Sequence, residues 1–356
     1  MIYKVNKLAL AINGLRYGGM ERQLVEFIKV LHSRGIEITL LAMNKPGPLS
    51  EIIAPYIHDD IVYLDRSKSR ILHSIFRIWQ LLRNIQPDIV HVQDNFSTFY
   101  VLFPSKLLGI PLVNGSIRHA GVSQGWDYTI ERIYFMLSNI IIANSQAGLD
   151  YFHIKRGHVI YNLADFSRFG KTTGALTEIV MNANFHHLKD YTTFFKAMKK
   201  LNEKGRVTKV GLIGDGPTRL KYLELVQEWG LSGITTFYGF IDNVEETLTH
   251  YGIGVLSSTL KYKEGISNSL LEYMATGLIA VGSNVGGTAE LVKDKVSGFL
   301  FEAENADSLV AKIVYIQDHP ELREGIVAAA LKQLAQNHSP ENNVNKYMGI
   351  VNNYLK

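Results

Sequence analysis

An alternation of short apolar runs with amphipathic stretches, run through twice and interrupted once, constrains this chain more than any other feature. In the first half, Leu8–Ile12, Ile36–Met43, Ile61–Leu64, Asp88–Val92 and Pro111–Ile117 read as strands. Met20–Ser33, Ile71–Ile85 and Phe96–Leu108 carry the helical period between them. Ile140–Ala143, followed by the polar cap Asn144-Ser145, and Val159–Tyr161 close this half. Strands that are apolar throughout and alternate with helices predict a parallel sheet covered by helices. Residues 164–177 are rich in Gly, Ser and Thr and have no apolar period, which predicts a linker. The alternation then restarts with strands Glu178–Ala183, Lys209–Ile213, Ile234–Tyr238 and Ile253–Leu256 around helices Asp190–Leu201, Thr218–Trp229 and Val244–Tyr251. A chain of 356 residues is long for one core and suits two domains. Ligands of such sheets bind beyond the carboxyl ends of the strands, so the loops after strands are the places to search.

The most informative loop follows Leu256. Lys263–Glu290 reads KEGISNSLLEYMATGLIAVGSNVGGTAE, in which Glu264 and Glu272 bracket a turn of small residues. Gly265, Ser267, Asn268 and Ser269 stop a strand and cap a helix, and Leu270–Ala275 continue as that helix up to Thr276-Gly277. The first turn of a helix presents unpaired N–H groups and the positive end of its dipole, so a diphosphate suits residues 265–269 without a metal. A carboxylate accepts from paired hydroxyls, so one glutamate suits a sugar and the other a ribose, with the diphosphate between them. A strand at Leu278–Gly282 and the turn Gly286-Gly287 lead to another helix start at Thr288–Leu291.

The string EGISNSLLEYMATGLIAVGSNVGGTAELV resembles the signature of the family 4 retaining glycosyltransferases. The resemblance covers nearly the whole chain and is specific mainly over 178–300. It implies the GT-B fold: two Rossmann-like α/β domains with a deep cleft between them. On that basis residues 1–163 form an acceptor-binding domain, 164–177 the linker, 178–338 a nucleotide-sugar domain, and 339–356 a last helix that packs back on the first domain. The hinge of that helix falls near Asn337–Pro340.

The same resemblance assigns roles residue by residue. It places Glu264 on the donor sugar, Glu272 on the nucleotide ribose, and Gly265, Ile266, Ser267 and Asn268 on the phosphates. It puts the nucleobase near Phe240 and Ile241, and the turn Gly214-Asp215-Gly216-Pro217 at the donor site. The glycine-rich loop Asn13–Glu21, with Arg16, Gly18 and Gly19, corresponds to one that faces the donor phosphates, although a plain tight turn also accounts for it. It is not GxGxxG, and no acid ends the second strand, so the dinucleotide reading is poor. Lys189 can neutralise a leaving diphosphate; the family's arginine five residues earlier is Asn184 here, which carries no charge. A histidine at the end of a strand suits an acceptor hydroxyl or the reacting sugar, which points to His119, with Arg118 and Arg16 also assigned to the acceptor. His91 matches a frequent family position, but its companion is Gln93, and a strand histidine is more often structural.

Other features bound the function. Zero cysteines exclude disulfides, thiolate metal sites and cysteine nucleophiles. No Asp-x-Asp occurs, so neither metal nor cofactor is expected and the nucleotide sugar is a substrate. A net charge of +4 is too weak to argue for nucleic acid. Met1–Ile12 reads as a first strand rather than a signal peptide, and VLFPSKLLGIPLV is broken by Pro104, Lys106 and Pro111, which predicts a cytoplasmic protein without a membrane span. Residues 66–84 form a basic amphipathic helix that either lies on the inner membrane surface or packs its apolar face on the sheet with its arginines solvated. Gly121-Val122-Ser123-Gln124-Gly125 fits the hydrolase pattern G-x-S-x-G, but it is set off from the strand by Arg118-His119-Ala120 and no helix is expected at Gln124. The expected reaction is therefore transfer of a sugar, with retention, from a UDP-linked or similar donor to a hydroxyl of a saccharide or lipid-linked acceptor. A nucleotide-sugar epimerase and a non-catalytic nucleotide-sugar-binding subunit are the rival readings.

Overall fold

A computed structural model describes residues 5–65, 71–121, 123–163, 165–241 and 243–356. The chain divides into two compact units. Unit 1 comprises 1–118, 123–163 and 338–356, and unit 2 comprises 119–122 and 164–337.

Unit 1 runs β1 (Lys7–Ile12), α1 (Gly19–Ser33), β2 (Glu37–Ala42), α2 (Ser50–Ile53), β3 (Val62–Tyr63), α3 (Ile71–Ile85), β4 (Ile89–Val92), α4 (Asn95–Leu107), β5 (Leu112–Ile117), α5 (Trp126–Leu137), β6 (Ile140–Ala143), α6 (Gln146–Tyr151) and β7 (His158–Val159). Its strands form one parallel sheet in the order β3-β2-β1-β4-β5-β6-β7. Leu8, Leu10 and Ile12 of β1 point to one face, where they join Leu24, Ile28 and Leu31 of α1. Ala9 and Ala11 point to the other, where they join Ile78 and Leu82 of α3 and Tyr100 and Val101 of α4. The period of two along a doubly covered strand fixes this division.

Unit 2 runs β8 (Glu178–Asn182), α7 (Tyr191–Glu203), β9 (Lys209–Ile213), α8 (Arg219–Glu228), β10 (Thr235–Gly239), α9 (Val244–Leu248), β11 (Ile253–Leu256), α10 (Asn268–Thr276), β12 (Ile279–Ser283), α11 (Thr288–Leu291), β13 (Phe299–Phe301), α12 (Ala306–Asp318) and α13 (Leu322–Asn337). The parallel sheet order is β10-β9-β8-β11-β12-β13. The chain ends in α14 (Pro340–Tyr354), which belongs to unit 1 and places Val344, Tyr347 and Val351 in the α1 side of its core.

Side-chain caps set many helix starts. Asp94 accepts from Ser97 N–H at 2.7 Å ahead of α4, Asp190 from Thr193 N–H at 2.9 Å ahead of α7, and Asn305 from Ser308 N–H at 3.0 Å ahead of α12. Gly277, at φ +78°, ends α10 in the left-handed conformation that glycine adopts without strain.

Two expectations change. Residues 165–177 are not a free linker: Thr172 N–H donates to the Thr276 carbonyl and Thr173 N–H to the Thr249 carbonyl, both at 2.9 Å, which ties the segment to unit 2. A helix, α5, does open shortly after Gln124, with Gly125 as its N-cap. Its apolar residues Trp126, Ile130, Ile133 and Leu137 recur at helical spacing, a period obscured by the glycines that precede it.

Candidate active site

In unit 2 the strand order reverses between β8 and β11, and the loops that follow these two strands are where ligands of such open sheets bind. The two loops are joined at their bases. Lys189 and Ser258 form an antiparallel bridge, and Asp190 N–H donates to the Ser257 carbonyl at 2.9 Å. The loop after β11 carries Glu264, whose carbonyl accepts from Gly287 N–H at 2.7 Å. A Cβ on Gly286 would collide with that carbonyl oxygen, and one on Gly287 with the backbone of Gly265. Gly286 also sits at φ +53°. The paired glycines are thus required by two backbones lying against each other. On its other side the Glu264 loop bridges residue 119 and accepts Ala120 N–H at the Lys263 carbonyl, 2.7 Å.

This scaffold brings together two of the expected residues that lie far apart in the chain. Lys189 Nζ and Glu264 Oε1 form an ion pair, with side chains only 15% and 11% exposed. The second carboxylate oxygen of Glu264 is buried and accepts no hydrogen bond. Burial pulls the Lys189 ammonium down to about 7, while the carboxylate beside it favours the charged form. His119, the bridge partner of Glu264, is also lowered by burial.

Helix α10 starts directly beyond this pair. Its N-cap, Ser267, makes no side-chain cap bond, so the hydroxyl does not consume a first-turn N–H. Gly265, Ile266 and Ser267 are buried at this helix start. One turn in, Glu272 accepts from Asn182 Nδ2 at 2.6 Å, while Ser269 Oγ donates to the Asn182 carbonyl at 2.6 Å. Asn182 is the last residue of β8, and its place at a strand's carboxyl end is the signal the sequence carries for it.

The remaining donor-side residues take varied places. Asn184 is exposed on the loop after β8. Gly214, at φ +126°, and Gly216 pack against the backbones of Ala183 and Phe185, where a Cβ would collide. Phe240 is half exposed after β10, with Ile241 partly buried beside it.

In unit 1, Arg16 is exposed and Gly18 caps α1, with Gly19 as the first residue of that helix. Arg118 is turned inward. Its Nη2 donates to Gln93 Oε1 at 2.5 Å, and the charges of Glu21 and Asp94 counter the burial that pulls it to about 10. His91 stacks on Tyr347 with ring centroids 5.2 Å apart and meets the edge of Phe27, and burial holds it near 3. This is a structural histidine. Residues 66–70 of the basic segment lie outside the described residues; the part seen as α3 buries Ser74, Ile78 and Leu82 and leaves Arg77 and Arg83 exposed. Among the described residues no group of three His, Cys, Asp or Glu side chains is placed to hold a metal, and no helix is long and apolar enough to cross a membrane.

Two parallel-sheet Rossmann-like units, one with a charged pair and a helix start at its strand-order reversal, define the GT-B class of glycosyltransferase folds. Residues 17–168 match Glycosyltransferase Family 4 and residues 169–333 match Glycosyl transferases group 1. The chain belongs to the family 4 glycosyltransferases. It is similar to the UDP-Gal:alpha-D-GlcNAc-diphosphoundecaprenol alpha-1,3-galactosyltransferase of Escherichia coli, 23% identical over 334 residues that cover 84% of this chain and 85% of that one. It is 28% identical over 178 residues to the N-acetyl-alpha-D-glucosaminyl L-malate synthase of Bacillus anthracis, a match over 49% of this chain that spans less than half, 45%, of the synthase. The crystal structure of Anabaena HepE in complex with UDP and glucose superposes with a TM-score of 0.83 at 17% identity, covering 97% of this chain and 99% of that one.

Proposed function

We propose that this glycosyltransferase moves a hexose-type unit from a UDP-linked sugar to a hydroxyl of a saccharide or lipid-linked acceptor, with retention, in the cytoplasmic synthesis of a polysaccharide, lipopolysaccharide or related glycoconjugate. The observation that carries the reading is the buried Lys189–Glu264 pair beside the start of α10. The UDP and glucose in the HepE complex and the printed activity of the galactosyltransferase support the choice of donor and acceptor class.

In this reading the donor separates the pair. Lys189 turns to the diphosphate, which also receives N–H groups of residues 265–268, and Glu264 turns to the sugar hydroxyls. Glu272 leaves Asn182 for the ribose, and the base lies by Phe240 and Ile241. The bond from the anomeric carbon to the β-phosphate oxygen breaks as the bond to the acceptor oxygen forms on the same face. The acceptor proton passes to the leaving phosphate oxygen, beside His119. Lys189 and the helix start stabilise the charge that develops on the diphosphate, a task that needs no metal.

Thermal unfolding with a panel of nucleotides tests the donor: UDP at a hundred times its dissociation constant should stabilise by about 2.7 kcal/mol. Turnover of UDP-sugars should collapse in Glu272→Ala and survive EDTA. Full turnover in Glu272→Ala would refute the clamp, and loss with EDTA would refute the metal-free route.

A further inference from the structure

We infer that Asn182 and Glu272 of unit 2 form a slot for one hydroxyl of the donor's ribose, which makes Asn182 a residue that selects a ribonucleotide. The inference rests on the donor reading, in which Glu272 faces the ribose. It adds a second side chain to that reading, a donor beside an acceptor, and a consequence for which nucleotides the site admits.

Asn182 ends β8, and helix α10 grips it at three points. Its N–H donates to Tyr273 Oη at 2.5 Å, its carbonyl accepts from Ser269 Oγ at 2.6 Å, and its Nδ2 donates to Glu272 Oε2 at 2.6 Å. Ser269, Glu272 and Tyr273 stand at i, i+3 and i+4 of the helix, so all three side chains leave from one face. Tyr273 is itself fixed: its ring fills the space that a Cβ on Gly254 would need, and its Oη donates to the Val255 carbonyl at 3.3 Å. The two bonds to the Asn182 backbone therefore hold the strand end on the helix by themselves. The third bond joins two side chains that are only part-buried, whereas Tyr273 is fully buried. A ligand can reach that third bond without undoing the joint.

The chemistry of the pair selects the group it takes. A carboxylate only accepts, so the amide nitrogen of Asn182, not its oxygen, faces Glu272. The pair is one donor and one acceptor, and a hydroxyl is both at once. Entering between them, it accepts from Nδ2 and donates to Oε2, replacing one direct bond by two and leaving neither partner unpaired. A hydrogen in the place of that hydroxyl does neither. The neutrality of the amide matters as well. Glu264 is held by the ammonium of Lys189, whereas the carboxamide gives Glu272 a donor without cancelling its charge. Glu272 so remains a strong acceptor for a neutral diol and repels a phosphate. It stands one turn, about 5.4 Å, past the helix start that takes the diphosphate in the donor reading, on the side where a ribose follows.

Equilibrium binding of UDP, 2′-deoxy-UDP and 3′-deoxy-UDP to the full chain tests the slot. Wild type should bind UDP at least about tenfold more tightly than either analogue, since each lacks a hydroxyl bonded to a charged group. Asn182→Ala should cut that ratio about fivefold for the analogue that lacks the hydroxyl in the slot, and leave the other ratio as in wild type. Each ratio is taken on one protein, so a smaller folded fraction cancels from it. Asn182→Ser, whose side chain is too short to reach Glu272, should behave as Asn182→Ala does and serves if the alanine variant does not fold. Ratios that are the same in wild type and in these variants would overturn the inference while Glu272 keeps the ribose. A wild type that does not bind UDP, or that binds all three alike, would overturn the donor reading and the inference with it.

Discussion

Each unit buries a cation near the reversal of its strand order, and the two are surrounded differently. Arg118 in unit 1 donates to Gln93 and lies among the charges of Glu21 and Asp94, while Asp94 itself accepts from Asn13 N–H at 2.7 Å and caps α4. Arg118 also borders a cavity lined by Gln23, His91, Asn162 and Tyr347 of the same unit. Lys189 in unit 2 meets one carboxylate, whose second oxygen accepts no hydrogen bond, next to a helix start whose N-cap side chain makes no cap bond. One reversal point is spent on holding its own loops together. The other keeps its charges in a single pair beside a helix start.

Replacing the two cations by methionine separates these roles. Lys189→Met should cut turnover of the donor by about 10²–10³-fold, because a preorganised charge on the leaving diphosphate is lost. Arg118→Met should instead destabilise the protein by about 1–3 kcal/mol in denaturant, since it removes the donor to Gln93 Oε1 and the positive charge beside the partly buried Glu21 and Asp94. If Arg118→Met unfolds like wild type and loses turnover, the contrast is inverted and Arg118 belongs to the acceptor site.

The glycine pair under Glu264 sharpens the same contrast at a smaller scale. Gly286→Val puts a β-branched residue at φ +53° and drives its Cβ into the Glu264 carbonyl. The strain should cost about 2 kcal/mol or more and shift the Glu264 loop. Weakened UDP binding at a moderate loss of stability is the expected outcome. Unaltered binding would mean that the loop is held by its other contacts, including the bridge to residue 119.

Much of this was legible in the sequence, and what was not has a physical reason. Both sheets follow from buried strands that are apolar throughout, and the α10 region follows from its cap and small residues. Lys189 and Glu264 each stand out as charged residues in loops after strands, but their pairing depends on β8 and β11 being neighbours, which crossover connections decide. The bond from Asn182 to Glu272 spans 90 residues of sequence for the same reason. Helix α5 lies behind glycines that obscure its period, and its apolar residues at helical spacing, Trp126, Ile130, Ile133 and Leu137, face outward where such spacing suggests an inward stripe. On α3 the sheet-packing reading accounts for Ile78 and Leu82, while Leu72 and Phe76 are exposed. Periodicity reports a face, not what lies against it.

The last contrast concerns acid. Unit 1 buries His91 near 3 and His338 near 4, both lowered by burial, from an ordinary value of 6.5. His91 lies against Phe27 and Tyr347 with the charge of Arg118 also opposing its protonation, and His338 Nδ1 is 2.9 Å from the Asn162 carbonyl. Between 6.5 and these lowered values the unfolded chain binds protons that the folded unit does not, so stability must fall as pH falls. Each such histidine contributes a slope of about 1.4 kcal/mol per pH unit. His91→Phe keeps an aromatic ring in the stack and removes one titration. Denaturant unfolding between pH 6.5 and 4 should therefore show the variant losing stability less steeply than wild type by about that amount per pH unit. Equal slopes would mean that His91 is protonated in the folded protein, and that the ring stack admits the charge its burial argues against.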